Sequence, residues 1–171
     1  MIKKLLHILL KQKPEGVRIT GEITVRAYRA GTQELISESV TKNMIMQAGS
    51  TGLDLVIQRL IAVNTYSLNI NYGEIGTGNT AVALTDVGNT TPAFRTVPSL
   101  QQDFGQSQAV LQFFFPDGSL TNQTYYEFAT FVDGASGLGT GQVFNHALLG
   151  TPYVKSSGQD TTVQVVFTIT Q

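Results

Sequence analysis

From residue 161 to residue 170 apolar and polar side chains alternate. Val163, Val165, Phe167 and Ile169 fall on one side, and Thr162, Gln164, Val166, Thr168 and Thr170 on the other. A period of two is the signature of a strand with one covered face. The same period runs through 17–30, where Ile23, Val25 and Ala27 oppose Glu22, Thr24, Arg26 and Tyr28. Gly31-Thr32 then turns the chain into a return strand at 33–41, which makes a β-hairpin. Ala109, Leu111, Phe113 and Phe115 alternate through 108–115 and stop at the turn signal Pro116-Asp117-Gly118. Further strands are predicted at 68–75, 125–132 and 143–149. The segment 133–141, with four glycines, reads as a turn. The segment 85–98 holds too many Asp, Gly, Asn and Pro residues for regular structure and belongs to a long surface loop at 77–107.

Two stretches keep the helical period instead. Ile2, Leu5, Leu6, Leu9 and Leu10 recur at i, i+3, i+4, i+7 and i+8, with Lys3, Lys4, His7 and Lys11 mainly on the other side. This is an amphipathic helix of about three turns, ended by Pro14 and Gly16. It lacks the small-residue cleavage site of a signal peptide, and its basic face is small for a membrane-surface helix. A helix this short is marginal alone in water. It therefore reads as a docking element, packed on a neighbouring subunit or on its own body. The second stretch, 47–62, places Leu53, Val56, Ile57, Leu60 and Ile61 on one face, with Ser50 or Thr51 as cap. Its Gly49-Ser50-Thr51-Gly52 start is not a phosphate loop, because no Gly-Lys-Ser/Thr follows.

Composition agrees with a mostly β chain. Only 13% of the 171 residues are charged, against about 25% in ordinary soluble domains, and there are 17 Gly and 21 Thr. The absence of Cys removes disulfides, thiolate metal sites and a Cys nucleophile. No apolar run reaches the roughly 18 residues that a spanning helix needs. Charge is uneven. Residues 1–29 hold seven of the eleven basic side chains against Glu15 and Glu22, a net +5, and the remainder carries -6. The basic end is thus suited to an acidic surface, and the acidic body is a poor match for nucleic acid.

Candidate chemistry is sparse. His7 and His146 lie 139 positions apart and give no metal-ligand spacing. Glu74, Asp86, Asp103, Glu127 and Asp133 are scattered, and Ser99, Ser107 and Ser136 sit in no nucleophile elbow. No catalytic, metal or cofactor residue is assigned, and the chain is not expected to be an enzyme. Glu127 and Arg95 border apolar strands and read as a buried or interfacial pair that fixes register. Gly76 and Gly78 read as turn glycines with positive φ. Tyr66, Tyr72, Tyr125, Tyr126 and Tyr153 form the one constellation suggestive of a glycan platform.

Four blocks, in order, resemble a family of small tailed-bacteriophage virion proteins, over residues 20–171. They are the hairpin ending in KNMIMQAGSTGLDLVIQRL, the segment NINYGEIGTGNTAVALTDVGNTTPAFR, the strand and Gly-rich turn YYEFATFVDGASG, and the closing TTVQVVFTITQ. In the third block EFATF stands where the family has EAGLF. The resemblance implies a head-decoration or tail-associated structural protein, located in the virion.

The combined expectation is a mainly β chain: a docking arm at 1–16 and an antiparallel β-sandwich at 17–171 with one packed α-helix. Its expected role is association with other virion proteins, capsid or tail subunits, and with copies of itself. It acts as a capsid decoration, cement or head-associated protein; the alternative is a tail, fibre or baseplate component that binds a receptor or glycan. Ile2, Leu5, Leu6, Leu9 and Leu10, with Lys3, Lys4 and Lys11, are the expected docking residues. No cofactor and no membrane span are expected.

Overall fold

The computed structural model describes residues 16–105 and 107–171. The arm and its docking residues, Ile2, Lys3, Lys4, Leu5, Leu6, Leu9, Leu10 and Lys11, therefore lie outside the described residues. The elements are β1 (Arg18–Arg29), β2 (Leu35–Ile45), α1 (Gly52–Leu60), β3 (Ile70–Gly76), β4 (Pro92–Thr96), β5 (Leu100–Asp103), β6 (Gln108–Phe115), β7 (Thr124–Val132), β8 (Gln142–Val154) and β9 (Gln159–Thr170). The chain is mainly β with one short helix among the described residues. Every strand pairs antiparallel with its neighbours, in the order β4-β3-β7-β8-β2-β1-β9-β6-β5.

The expected two-sheet sandwich is instead one continuous sheet, curled into a half-barrel. The join is β2. Its residues up to Asn43 pair with β1, and Met44 and Ile45 pair with His146 and Asn145 of β8. Alternation reports which face of a strand is covered, but not whether the covering strands belong to the same sheet. The curl brings β6 over β7 and β4. Phe113 meets Phe128 with ring centres 5.6 Å apart, and Phe94 meets Phe115 at 5.9 Å. Ile23, Val25, Leu111, Phe113, Val163 and Val165 point into this concave core and are buried, as their alternation requires.

Two short strands occupy the supposed loop. β4 and β5 are the outermost strands of the sheet, five and four residues long. Edge strands of that length pair on one side only and are too short for an alternating pattern to mark them. Pro92 sits at the first position of edge strand β4, a place where its missing N–H is tolerated.

The helix is shorter than the predicted 47–62. Ser50 and Gly52 adopt φ of 59° and 37°, so a turn consumes the first residues. A Cβ on Gly52 would strike the Met46 backbone, which makes glycine obligatory there. Thr51 is the N-cap without a side-chain cap bond, and Asp54 closes the turn by accepting the Ser50 N–H at 2.6 Å. Leu55 is the buried hydrophobe of α1, while Ile57, Leu60 and Ile61 are 55%, 75% and 68% exposed. The predicted inward stripe is thus half outward, because the helix rests on β8 by its first turns only.

The outer face of the β3–β7–β8 half is also covered. Val82, from the β3–β4 connection, packs on Met46, Ala129, Phe131 and Val143 of a second apolar cluster. β7 is therefore buried on both faces from Glu127 onward.

Candidate functional site

Polar chemistry in this molecule concentrates beneath the β3–β4 connection. Register places it. Glu74 of β3 stands opposite Arg95 of β4, and Gly76 of β3 opposite Glu127 of β7. Ala129 of β7 stands opposite His146 of β8, which carries the histidine ring to within reach of Glu127. All four ionisable side chains are buried.

Glu127 is the hub. Its carboxylate accepts the N–H groups of Gly78, Thr90 and Thr91 at 3.0, 2.9 and 2.8 Å, and the Thr90 hydroxyl at 3.0 Å. Nε2 of His146 lies 3.1 Å from Oε2. Burial pushes the Glu127 carboxyl up. The hydrogen bonds from His146, Thr91 and Thr90 outweigh burial and hold it down at about 2. On the other side of the ring, Nδ1 of His146 lies 2.9 Å from Oδ2 of Asp86. The ring is thus held between two carboxylates, one at each nitrogen. Asp86 also accepts the Ala83 N–H at 3.0 Å, so it closes its own turn.

Glu74 and Arg95 pin the turn at 133–141, between β7 and β8. Glu74 accepts the Gly139 N–H at 2.8 Å, and Asn89 Nδ2 donates to its backbone oxygen at 2.9 Å. Burial raises the Glu74 carboxyl, against the opposing pull of the Gly139 N–H, the Arg95 charge and Asn89. Nε of Arg95 is 3.5 Å from Glu74. The guanidinium also donates to the carbonyls of Gly137 and Thr140, and lies 4.6 and 4.7 Å from the ring centres of Tyr72 and Phe131. Burial lowers the Arg95 pKa, and Glu74 opposes that. The expected Glu127–Arg95 pair does not form: both side chains are buried, but Arg95 meets Glu74 and Glu127 meets His146.

Gly76 and Gly78 do not have positive φ; the expected turn role is corrected. A Cβ on Gly76 would lie 2.5 Å from Glu127 Oε1, and one on Gly78 would overlap the Thr90 hydroxyl and come within 2.6 Å of Oε1. They are glycines because a carboxylate occupies the space a side chain needs.

The remaining candidates lie apart. Asp133 accepts the Ser67 N–H at 2.7 Å, and the Ser99 hydroxyl donates to the Gln112 carbonyl at 3.1 Å. Ser107 and Ser136 are exposed. Asp103 ends β5 at the mouth of the half-barrel. Three of the five tyrosines are committed within the fold. Tyr125 and Tyr153 stack on each other at 6.3 Å, both buried, with hydroxyls bonded to Thr121 and Thr161. Tyr72 is committed to Arg95. Among the described residues, no three His, Cys, Asp or Glu side chains converge as a metal-ion site. No helix among them is long and apolar enough to cross a membrane. His146, the one histidine of the site, has each nitrogen already facing a carboxylate, which leaves none to activate a nucleophile.

Asn89, Thr90 and Gly139 were not singled out by sequence. One signal was present: the triplet Gly-Asn-Thr occurs at 78–80 and again at 88–90, and the two copies bracket the Glu127 carboxylate. No family model, no curated protein and no solved structure matches the chain.

Proposed function

We propose that this chain is a structural protein of a tailed-bacteriophage virion, a capsid decoration, cement or other head-associated protein, and that it acts by protein–protein association rather than catalysis. The observation that carries this reading is the convergence at Glu127. Gly78, Thr90 and Thr91 come from the second block of the resemblance and Glu127 from the third, and a single carboxylate ties them together. Two of the blocks that carry the resemblance therefore meet in the fold. The polar groups capable of chemistry are spent on holding loops, while apolar side chains are left outward on α1, at Ile57, Leu60 and Ile61. An exposed cluster of that kind suits contact with a neighbour. The amphipathic arm is the second docking element, carrying Ile2, Leu5, Leu6, Leu9 and Leu10 with its lysines. Partners are other virion proteins and further copies of the chain. The tail or fibre reading with a glycan site draws no support from the buried Tyr125–Tyr153 stack.

The test is incorporation. The chain lacking residues 1–13 and the variant Leu60→Glu are each supplied during infection in place of the intact chain. Both are expected to stay soluble and to fall in copy number on gradient-purified particles. Unchanged copy number for both would remove the arm and the α1 face as docking elements.

A further inference from the structure

Where β1 begins and β9 ends, the half-barrel opens into a groove of about 710 Å³. Its walls are mainly apolar: Ile19 from β1, Phe167 and Ile169 from β9, Ala109 from β6, Leu68 ahead of β3, and Val56 from α1. Asp103 stands on the rim. Ile169 is half exposed, so this end of the core lacks a cover among the described residues.

We propose that the groove is the seat of this chain's own arm, residues 1–13, in the free protein. Three observations select that occupant. The first is where the described chain starts. Gly16 is only three residues before Ile19 in the groove wall, a span of about 10 Å. The second is fit. The spacing of Ile2, Leu5, Leu6, Leu9 and Leu10 predicts one apolar stripe, and the groove walls that would receive it are mainly apolar. The third is charge. Residues 1–15 carry four lysines against Glu15, while residues 16–171 are net negative, with Asp103 on the rim. So short a tether gives the arm an effective concentration on the order of millimolar at its own groove, ahead of any other copy in dilute solution. The stripe faces one surface at a time, so docking on a neighbour then requires the arm to leave the groove. This seat is independent of the virion reading and stands without it.

The chain has no Cys, so a nitroxide placed on His7→Cys, on the polar side of the arm, is the only label. The probe is broadening of backbone amide signals in the isotope-labelled full chain. The expected result is strong broadening at Leu68, Ala109 and Ile169, and none when nitroxide chains without isotope are mixed with isotope-labelled chains without nitroxide. Adding Leu6→Asp to the nitroxide chain is expected to abolish the broadening while the rest of the spectrum stays in place. Broadening in the mixed sample would assign the groove to a second copy's arm and overturn the proposal. No broadening at the groove in either sample would overturn it as well, and so would broadening that survives Leu6→Asp. None of these outcomes bears on whether the chain is found on particles.

Discussion

Oε2 of Glu127 lies 3.1 Å from Nε2 of His146, and both side chains have no exposed surface. From this contact the β3–β4 connection is held on one side by Glu127 and on the other by Asp86, through the two nitrogens of one ring. Burying charge is costly unless every lone pair finds a donor, and Glu127 finds five. The connection has few regular backbone hydrogen bonds of its own, so the carboxylate substitutes for a ladder.

Replacing Glu127 by Ala is expected to destabilise the fold by about 3–5 kcal/mol, because three N–H groups and a histidine lose their acceptor together. Urea unfolding measures the loss. Limited proteolysis should show new cleavage within residues 77–91 before global unfolding. A cost below about 1 kcal/mol would mean water replaces the carboxylate without penalty.

Acid stability follows from the same group. The Glu127 carboxyl titrates at about 2 when folded, against an ordinary value of 4.5. A depressed folded value means its stabilisation is complete above pH 4.5 and lost as pH falls toward about 2. Its size is on the order of 3 kcal/mol. Glu74 acts with opposite sign. Its carboxyl is raised by burial, so its contribution is complete at low pH and lost as pH rises through the folded value. Glu127→Gln should therefore flatten the acid limb of stability against pH, and Glu74→Gln should steepen it. Unfolding midpoints across the acid range read both, and an unchanged acid limb in Glu127→Gln contradicts the assignment.

Glycine substitutions separate space from conformation. Gly78→Ala forces a methyl into the Thr90 hydroxyl and the Glu127 carboxylate, at a cost of about 1–3 kcal/mol. Gly137→Ala meets only the Thr140 methyl at 3.5 Å, an ordinary contact, and should stay within about 0.5 kcal/mol. Equal melting temperatures for the two variants would show that the connection shifts freely to make room.

The stacked tyrosines give a graded pair. Tyr153→Phe leaves the buried Thr161 hydroxyl without its partner at 2.6 Å and should cost about 1–2 kcal/mol. Tyr125→Phe frees the Thr121 carbonyl, on an exposed residue that water can reach, and should cost less. Thermal unfolding of both variants checks the order, and a reversed order would contradict it.

The strands with one covered face were legible. β6 begins and ends where its alternation does, and β9 and β1 differ from expectation by a residue or two. β2 runs four residues past its predicted end, because Met44 and Ile45 cross there to β8, and β8 runs five residues past its own, where Tyr153 and Val154 pair with Tyr125 and Thr124 of β7. That crossover rests on Met44, Ile45, Asn145 and His146, and local patterning carries no trace of a pairing a hundred residues apart. The site was legible as residues but not as contacts. Residue type alone marks Glu74, Asp86, Glu127 and His146 as candidates, yet their meeting depends on the register of β3, β7 and β8. Gly76 and Gly78 read as turn glycines but are needed for room, and sequence does not distinguish a glycine needed for φ from one needed for room.

The central claim is that the chain is a constituent of the particle. Quantitative peptide mass spectrometry of gradient-purified particles, before and after a second gradient in high salt, tests it most directly. The expected result is this chain at a fixed molar ratio to the major capsid subunit, unchanged by the second gradient. Its absence from the particles, while abundant in the cleared lysate of the same infection, would contradict the account.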